Sequence, residues 1–364
     1  MNDKILSQLL DILRNDPASQ SDKVIVSLAL LVWCKKSLTS ETPDHLKIIN
    51  CRGIDPVKLS HVLSEIGLVS QCASLDDEVC SKVSKIGYET ISVCINQCIS
   101  IGESGILDNY NPTDAALAIR SKTEVSLPKE VADLLVGLAA NISNKNIYLP
   151  LESGGQITGR VLNNNAIPYI ESPFSSHLPK LIAALLGKER IETKQSDFLR
   201  SPTYIEEGKL KKFTTTVAPL PFNVNVAKDI FDQDLFDRFK EKTRSLTVLA
   251  IRHILIQTQG RAIITMANSL LFSSGAEREL REDLLRNKQI EAVIAMPVGL
   301  FDTTAIAFSI LILNTDKKNE SVRFINADTD EFRVAVSRTR NQLINVEKLI
   351  DIILSDSTAE FTCT

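Results

Sequence analysis

Gly260-Arg261-Ala262-Ile263-Ile264-Thr265-Met266-Ala267 opens the stretch that decides how this chain folds. Ala276-Glu277-Arg278-Glu279-Leu280-Arg281 and Leu284-Leu285 follow, then Ile290-Glu291-Ala292-Val293-Ile294-Ala295-Met296-Pro297, Gly299-Leu300-Phe301 and Phe308-Ser309-Ile310-Leu311-Ile312-Leu313-Asn314. Short apolar runs rich in Ile and Val read as buried strands. The leucine spacing between the first two runs reads as an amphipathic helix.

Outward from this stretch the same alternation continues. Apolar runs at 147–151, 167–170 and 215–218 predict further strands, and Leu178–Leu186 predicts a helix. Strands alternating with helices imply a mostly parallel sheet covered on both faces. Ligands of such sheets sit beyond the carboxyl ends of the strands, at the switch point. After residue 321 the sequence predicts a strand over 322–326 and a helix over 346–354.

Residues 1 to about 105 read instead as helices. Ile5, Leu6, Leu9, Leu10, Ile12 and Leu13 form a stripe at helical spacing, and Lys23–Leu38 predicts a second, more buried helix. Asp55-Pro56 predicts a capped third helix, with Gly67 as its stop. Residues 76–99 carry one or two more. Gly102–Asn111 reads as a linker. The ending Ala359–Thr364 has no stop signal, which suggests a piece of a longer polypeptide.

The chain has 364 residues, 44% hydrophobic and 24% charged, with a net charge of −4. No apolar run is long enough to span a bilayer, and no signal-peptide layout opens the chain, so a cytoplasmic protein without membrane partners is expected. Seven cysteines, an odd number, argue against a disulfide framework. Their spacing fits no standard zinc site, so no metal is expected. The acidic balance is unlike that of a protein that grips duplex DNA alone. Basic residues cluster only locally: Lys209, Lys211 and Lys212; Lys240, Lys242 and Arg244; Arg333, Arg338 and Arg340. Each cluster also fits a plain solvated face, so a partner would have to supply much of any grip on DNA.

The 260–314 stretch resembles the second half of the adenine-specific (N6) DNA methylases, in particular the modification subunit of type I restriction-modification systems. The resemblance spans roughly residues 126–354. It implies an α/β fold: a class I S-adenosylmethionine-dependent methyltransferase (Rossmann-like) sheet with an all-helical N-terminal domain. The expected division is 1–105 helical, 106–320 methyltransferase-like, and 321–364 a C-terminal strand and helix extension. DNA, a specificity or other defence-system subunit, and assembly into a complex are the partners it implies.

The resemblance also carries over site positions. The family's helix start maps to Ser126-Leu127-Pro128. Its Asp-Pro-x-x-Gly-Ser-Gly turn maps to Leu149-Pro150-Leu151-Glu152-Ser153-Gly154-Gly155, where Leu149 replaces the acid that anchors the methionine part of S-adenosylmethionine. Gly154 and Gly155 also fit a plain tight turn. Glu171 stands where the family's acid holds the ribose hydroxyls. Asp197-Phe198 stands where the family receives and packs the adenine.

The family's catalytic Asn/Asp-Pro-Pro-aromatic loop aims the amine of a flipped adenine at the methyl donor. Here it reads Pro219-Leu220-Pro221-Phe222. Proline has neither a side-chain acceptor nor an N–H. Losing one such positioned hydrogen bond is worth about 3 kcal/mol, a few-hundredfold in rate. Phe222 would either stack on a base or partner, or fill the emptied pocket. The expectation is a catalytically degenerate, DNA-associated or complex-forming subunit, S-adenosylmethionine binding being left open. The alternatives are a working methylase with an atypical loop, and a sensor of adenine nucleotide or S-adenosylmethionine.

Overall fold

The computed structural model describes residues 2–119, 126–140, 146–301, 306–355 and 362–363. The ending Ala359–Thr364 lies outside the described residues apart from 362–363. In chain order, α1 (Asn2–Ile12), α2 (Gln20–Ser37), α3 (Pro56–Val69), α4 (Asp77–Ser84) and α5 (Tyr88–Glu103) come first. Next are α6 (Lys129–Ala140), β1 (Asn146–Pro150), α7 (Gln156–Asn163), β2 (Ile167–Ser172) and α8 (His177–Leu186). Strands β3 (Glu192–Gln195), β4 (Ile205–Glu206), β5 (Lys209–Leu210) and β6 (Phe213–Pro219) lead to α9 (Leu246–Gln257) and β7 (Thr258–Ala267). Helices α10 (Ser269–Phe272) and α11 (Ala276–Arg286) precede β8 (Ile290–Ala295), β9 (Phe308–Asn314) and β10 (Arg323–Asn326). The chain finishes with β11 (Arg333–Ser337), β12 (Arg340–Leu343), α12 (Val346–Leu354) and β13 (Thr362–Cys363).

Two compact units result. One gathers Met1–Ser126, Ser153–Gly159 and Ser175–Ile191; the other gathers Leu127–Glu152, Arg160–Phe174 and Glu192–Thr364. In the first, α2 is the central helix: Val24–Cys34 are buried on every face, as an all-round apolar helix must be. Trp33 is buried there and donates its indole N–H to the Leu46 carbonyl at 2.8 Å. Asp55 caps α3 through the N–H groups of Val57 and Lys58, as its sequence predicts. Gly67 does not stop that helix, which runs on to Val69. The glycine is needed for packing, since a Cβ would stand 3.0 Å from the Leu75 carbonyl oxygen. The expected linker at 102–111 holds a 3-10 turn over Ile106–Asn109 that buries Leu107. The six cysteines from Cys34 to Cys98 are free and buried, small hydrophobes in effect.

One charged cluster ties α4 to α8 within this unit. His177 is buried, with Nδ1 3.5 Å from Asp76 and Nε2 3.0 Å from Glu78, and Lys180 stands 3.5 Å from the same Asp76 oxygen. Asp76 raises the His177 pKa against the opposing effect of burial, and Glu78 adds to it. Burial alone would raise Asp76, but His177, the Val79 N–H and Lys180 bring it down to about 2.

The second unit is a nine-stranded sheet in the order β13-β10-β8-β9-β7-β6-β1-β2-β3. β1 pairs in parallel with both β2 and β6, β6 with β7, and β8 with β10. β9 runs antiparallel between β7 and β8. Every strand read from the sequence is present. The polar edge strand β3 and the hairpins β4–β5 and β11–β12 carry no continuous apolar signal and were not legible. The order reverses at β1 and β6, so the switch point lies beyond Pro150 and Pro219, the last residues of those strands. Among the described residues, no helix is long and apolar enough to cross a membrane.

Two predictions follow from packing and charge. Gly260 has φ +133°, and a Cβ there would lie 2.3 Å from the backbone oxygen of Thr214. Gly260→Ala should cost more than about 2 kcal/mol in urea denaturation. Gly208→Ala, with φ +73° but open space around it, should cost only about 1 kcal/mol. For the histidine cluster, the quantity to measure is the stability of the unsubstituted protein minus that of His177→Gln. Because His177 is raised in the fold, this margin should be full below its ordinary pKa of 6.5 and vanish as pH rises through the folded value. At the acid end it should shrink again as Asp76 protonates towards about 2. A margin that grows with rising pH would contradict the cluster.

Candidate functional site

The positions singled out at the switch point are best built up from β1 and β2. Tyr148 and Leu149 are fully buried in β1, and Pro150 pairs with Glu171 across to β2. Leu149 offers only hydrocarbon. Leu151 follows at φ +66°, a left-handed conformation that costs a leucine about 1–2 kcal/mol. Its N–H is held by the Glu171 carbonyl at 2.9 Å.

Gly154 and Gly155 belong to the helical unit. Gly155 has φ +78°, and a Cβ would lie 2.3 Å from Ile182 of α8 and 3.3 Å from the Pro179 nitrogen. The close approach that demands glycine here is therefore to α8.

Glu171 is fully buried and its carboxylate is taken by neighbours. The Thr203 N–H and hydroxyl donate to Oε1 at 2.5 and 2.6 Å, and the Tyr148 hydroxyl donates to Oε2 at 2.7 Å. The Tyr148 oxygen lies 3.0 Å from His253 Nε2, and His253 Nδ1 lies 3.0 Å from an Arg238 nitrogen. One proton arrangement satisfies this chain. Arginine only donates, so Nδ1 accepts; Nε2 then carries the proton and gives it to the tyrosine oxygen, whose own proton goes to Glu171. Burial pushes the Tyr148 pKa up, reinforced by Glu171, and burial together with Arg238 pushes His253 down, so both stay neutral.

Arg238 is the other end of this chain. It is 1% exposed, anchored by Asp234 at 2.7 Å, and donates to the carbonyls of Phe198 at 2.7 Å and Leu199 at 2.6 Å. Arg238 thereby holds the Asp197-Phe198-Leu199 turn. Phe198 is buried with its ring 4.8 Å from that of His253. Asp197 stays 40% exposed; one oxygen accepts the Leu199 N–H at 3.1 Å, and the other is 3.4 Å from Arg200. The sequence offered one signal for this network that went unread: Arg252-His253 interrupts an otherwise apolar helix.

The loop after β6 keeps its aromatic but no polar side chain. Leu220 is buried, and its carbonyl lies 3.5 Å from the Thr265 hydroxyl. Pro219, Pro221 and Phe222 are half-buried. Phe222 packs edge-on to Phe301 at 5.5 Å and tilted to Phe308 at 5.6 Å, so its ring is part of an aromatic cluster. Beyond it, Asn223 turns the chain at φ +56°. A cleft of about 210 Å³ opens there, between Asn223–Asn225, Ser245, Thr247, Ala267, Ser269, Leu270 and Glu277. Thr215 and Thr216 are buried inside the sheet, Thr216 on Thr258 at 2.6 Å, and do not reach the loop. Of the basic clusters, Lys211 pairs with Glu206 and Lys240 with Asp283. Among the described residues, no three His, Cys, Asp or Glu gather as a metal site would require.

Removing the tyrosine hydroxyl tests the buried chain. Tyr148→Phe strands the Nε2 proton and one Glu171 oxygen, and should cost about 1–3 kcal/mol in urea denaturation. Tyr88→Phe, whose exposed hydroxyl reaches only the Gly53 carbonyl, should cost well under about 1 kcal/mol. Equal costs would mean that the chain contributes nothing.

Residues 183–362 match the family described as N-6 DNA Methylase. Two curated relatives are the type I restriction enzyme MpnII methylase subunit of Mycoplasma pneumoniae and the MjaVII methylase subunit of Methanocaldococcus jannaschii. The first is 29% identical over 41% of this chain and 29% of its own length. The second is 24% identical over 67% of this chain and 43% of its own length. In each, the match spans less than half of the relative. The solved type I restriction-modification methyltransferase subunit from Streptococcus thermophilus superposes with a TM-score of 0.72, at 15% identity, over 99% of this chain and 93% of that one. The fold is that of the class I S-adenosylmethionine-dependent methyltransferases. It is the C-terminal half of the chain, residues 183–362, that carries the match to the N-6 DNA Methylase family, and the curated relatives it resembles are type I methylase subunits.

Proposed function

We propose that this chain is a methylase-like subunit of restriction-modification or phage-defence type that has lost methyl transfer. It acts in the cytoplasm by associating with DNA and with a specificity or other defence subunit. One observation carries the reading: Pro219-Leu220 at the end of β6 offers no side-chain acceptor where the family aims an adenine amine. Without it the base loses one of the two contacts that orient and polarise its amine, the Leu220 carbonyl being the other.

The cofactor positions support the same reading. S-adenosylmethionine held in the family manner needs an acid at position 149, a free carboxylate at 171 and an open turn at 154–155. Leu149 is apolar, three internal donors occupy Glu171, and Gly155 is packed against Ile182. The residues do not fit the methionine and ribose parts of the cofactor. Asp197, bonded to the Leu199 N–H and 3.4 Å from Arg200, is still 40% exposed and could take an adenine amine, which favours nucleotide sensing as the second reading.

The decisive assay is transfer of labelled methyl groups from S-adenosylmethionine to duplex DNA, with a related active methylase as positive control. The purified chain should incorporate no label above background, a deficit of at least a few-hundredfold. Calorimetry with S-adenosylmethionine alone should show no saturable binding at micromolar concentration. Turnover by this chain would end the reading. Binding without turnover would move it to the sensor.

A further inference from the structure

The β11–β12 ribbon has no role in the proposal above. Residues 334–340 are exposed without a break, although 333–337 form a paired strand. Val334 is 45% and Val336 59% exposed, so the core of their own unit uses neither. Only the base of the ribbon is buried, at Phe332 and Leu343, where the Ile344 N–H meets the Phe332 carbonyl at 2.9 Å. A lone two-stranded hairpin is marginal in water, so a ribbon standing clear of the core has to be held elsewhere.

It is held near its tip. Ser337 pairs with Arg340, which leaves Arg338 and Thr339 as a two-residue turn. The Asn341 N–H donates to the Gly299 carbonyl and its side-chain amide to the Val298 carbonyl, both at 2.9 Å. Gly299 has φ +72°, and a Cβ there would lie 2.7 Å from the Thr339 carbonyl oxygen, so the turn is pressed onto this glycine. The Gln342 amide adds a bond to Glu130 of α6 at 2.8 Å.

The anchoring loop fixes where the tip stands. β6 runs parallel to β7, β7 antiparallel to β9, and β9 antiparallel to β8, so β8 ends on the same rim of the sheet as β6. Residues 296–301 follow β8, and Phe301 packs on Phe222 at 5.5 Å. The ribbon tip therefore stands on the rim that carries Pro219–Phe222. Its charge is unlike that of the whole chain, which is −4: between Glu331 and Glu347 there are three arginines and no acid. Arg333 is turned towards Asp328 at 2.5 Å, whereas Arg338 and Arg340 stand exposed at the tip.

We infer that this ribbon grips duplex DNA, with Arg338 and Arg340 meeting backbone phosphates and Val334 and Val336 lying against the groove between them. The inference rests on the DNA-association reading and gives that reading its surface. A two-stranded ribbon is narrow enough for the major groove, and arginine meets phosphate through a planar fork of donors. A tip already fixed to the sheet loses less freedom on binding than a free loop would. Contacts to the backbone position the duplex without reading its sequence.

Fluorescence anisotropy with a labelled duplex, titrated at several salt concentrations, tests it. Arg338→Ala combined with Arg340→Ala should weaken binding at low salt by about tenfold and flatten the slope of log affinity against log salt by about two. Arg338→Glu alone, at the turn, should flatten it by about one. Lys317→Ala combined with Lys318→Ala is the matched control. It also removes two exposed cations, but from the turn after β9, on the opposite rim of the sheet, and should leave the slope unchanged. Thermal melting should show all variants folded. Equal losses in the arginine and lysine variants would mean that net charge alone attracts the duplex. An unchanged slope in the arginine variants would mean that the ribbon stays off DNA. Either result ends the ribbon inference and leaves association standing. If the unsubstituted chain holds no duplex even at low salt, both fall together.

Discussion

A carboxylate with no access to water sets the terms for this sheet. Glu171 is fully buried at the end of β2, where an unsatisfied carboxylate would be costly enough to prevent folding. Each of its oxygens must therefore be met by a donor. Thr203 meets one, and the Tyr148 hydroxyl meets the other while its oxygen accepts from His253. His253 keeps its neutral form because it is buried and faces Arg238, which the Asp234 carboxylate anchors. The chain of demands crosses β1, β2, α9 and the turns at 198–203 and 234–238. Breaking any member leaves a buried polar group stranded, so these segments are fixed as a set.

That arrangement changes what the switch point can do. Glu171 accepts three hydrogen bonds from its own fold and is closed to solvent, so under the proposed function it is held by neighbours where the family's acid would meet a ribose. Leu149 removes the neighbouring anchor, and Pro219 removes the side-chain acceptor at the end of β6. These changes lie in strands that pair directly with one another, β1 with β2 and β6. Under the proposed function their effects would compound, because a rebuilt loop that oriented a base would still lack the family's acid at position 149.

The sequence carried the frame well and the network poorly, for a physical reason. Strands such as 262–266 and 309–313 are buried on both faces, so they read as continuous apolar runs that survive divergence. Helix α2 was legible for the same reason. Edge strand β3 is polar and mostly exposed, and only pairing with β2 defines it. Gly67 looked like a stop because glycine weakens a helix, but tertiary packing against Leu75 outweighed that preference. Arg238 and His253 lie 15 positions apart and Tyr148 another 105 away, and no local pattern says that they touch. Glu171 could be placed at its strand end from sequence alone; what its carboxylate bonds to could not.

The same distinction separates the motif positions from the network behind them. A family motif is recognised by residue identity at fixed spacing, so a chain that has lost the identity loses the signal. A buried polar network is recognised by which donors meet which acceptors, a property that appears only once the fold brings Tyr148, Glu171, Arg238 and His253 to one place. Under the proposed function, the sheet stays intact while apolar Leu149 and Pro219 stand at the ends of β1 and β6 and the Glu171 carboxylate is satisfied from within the fold.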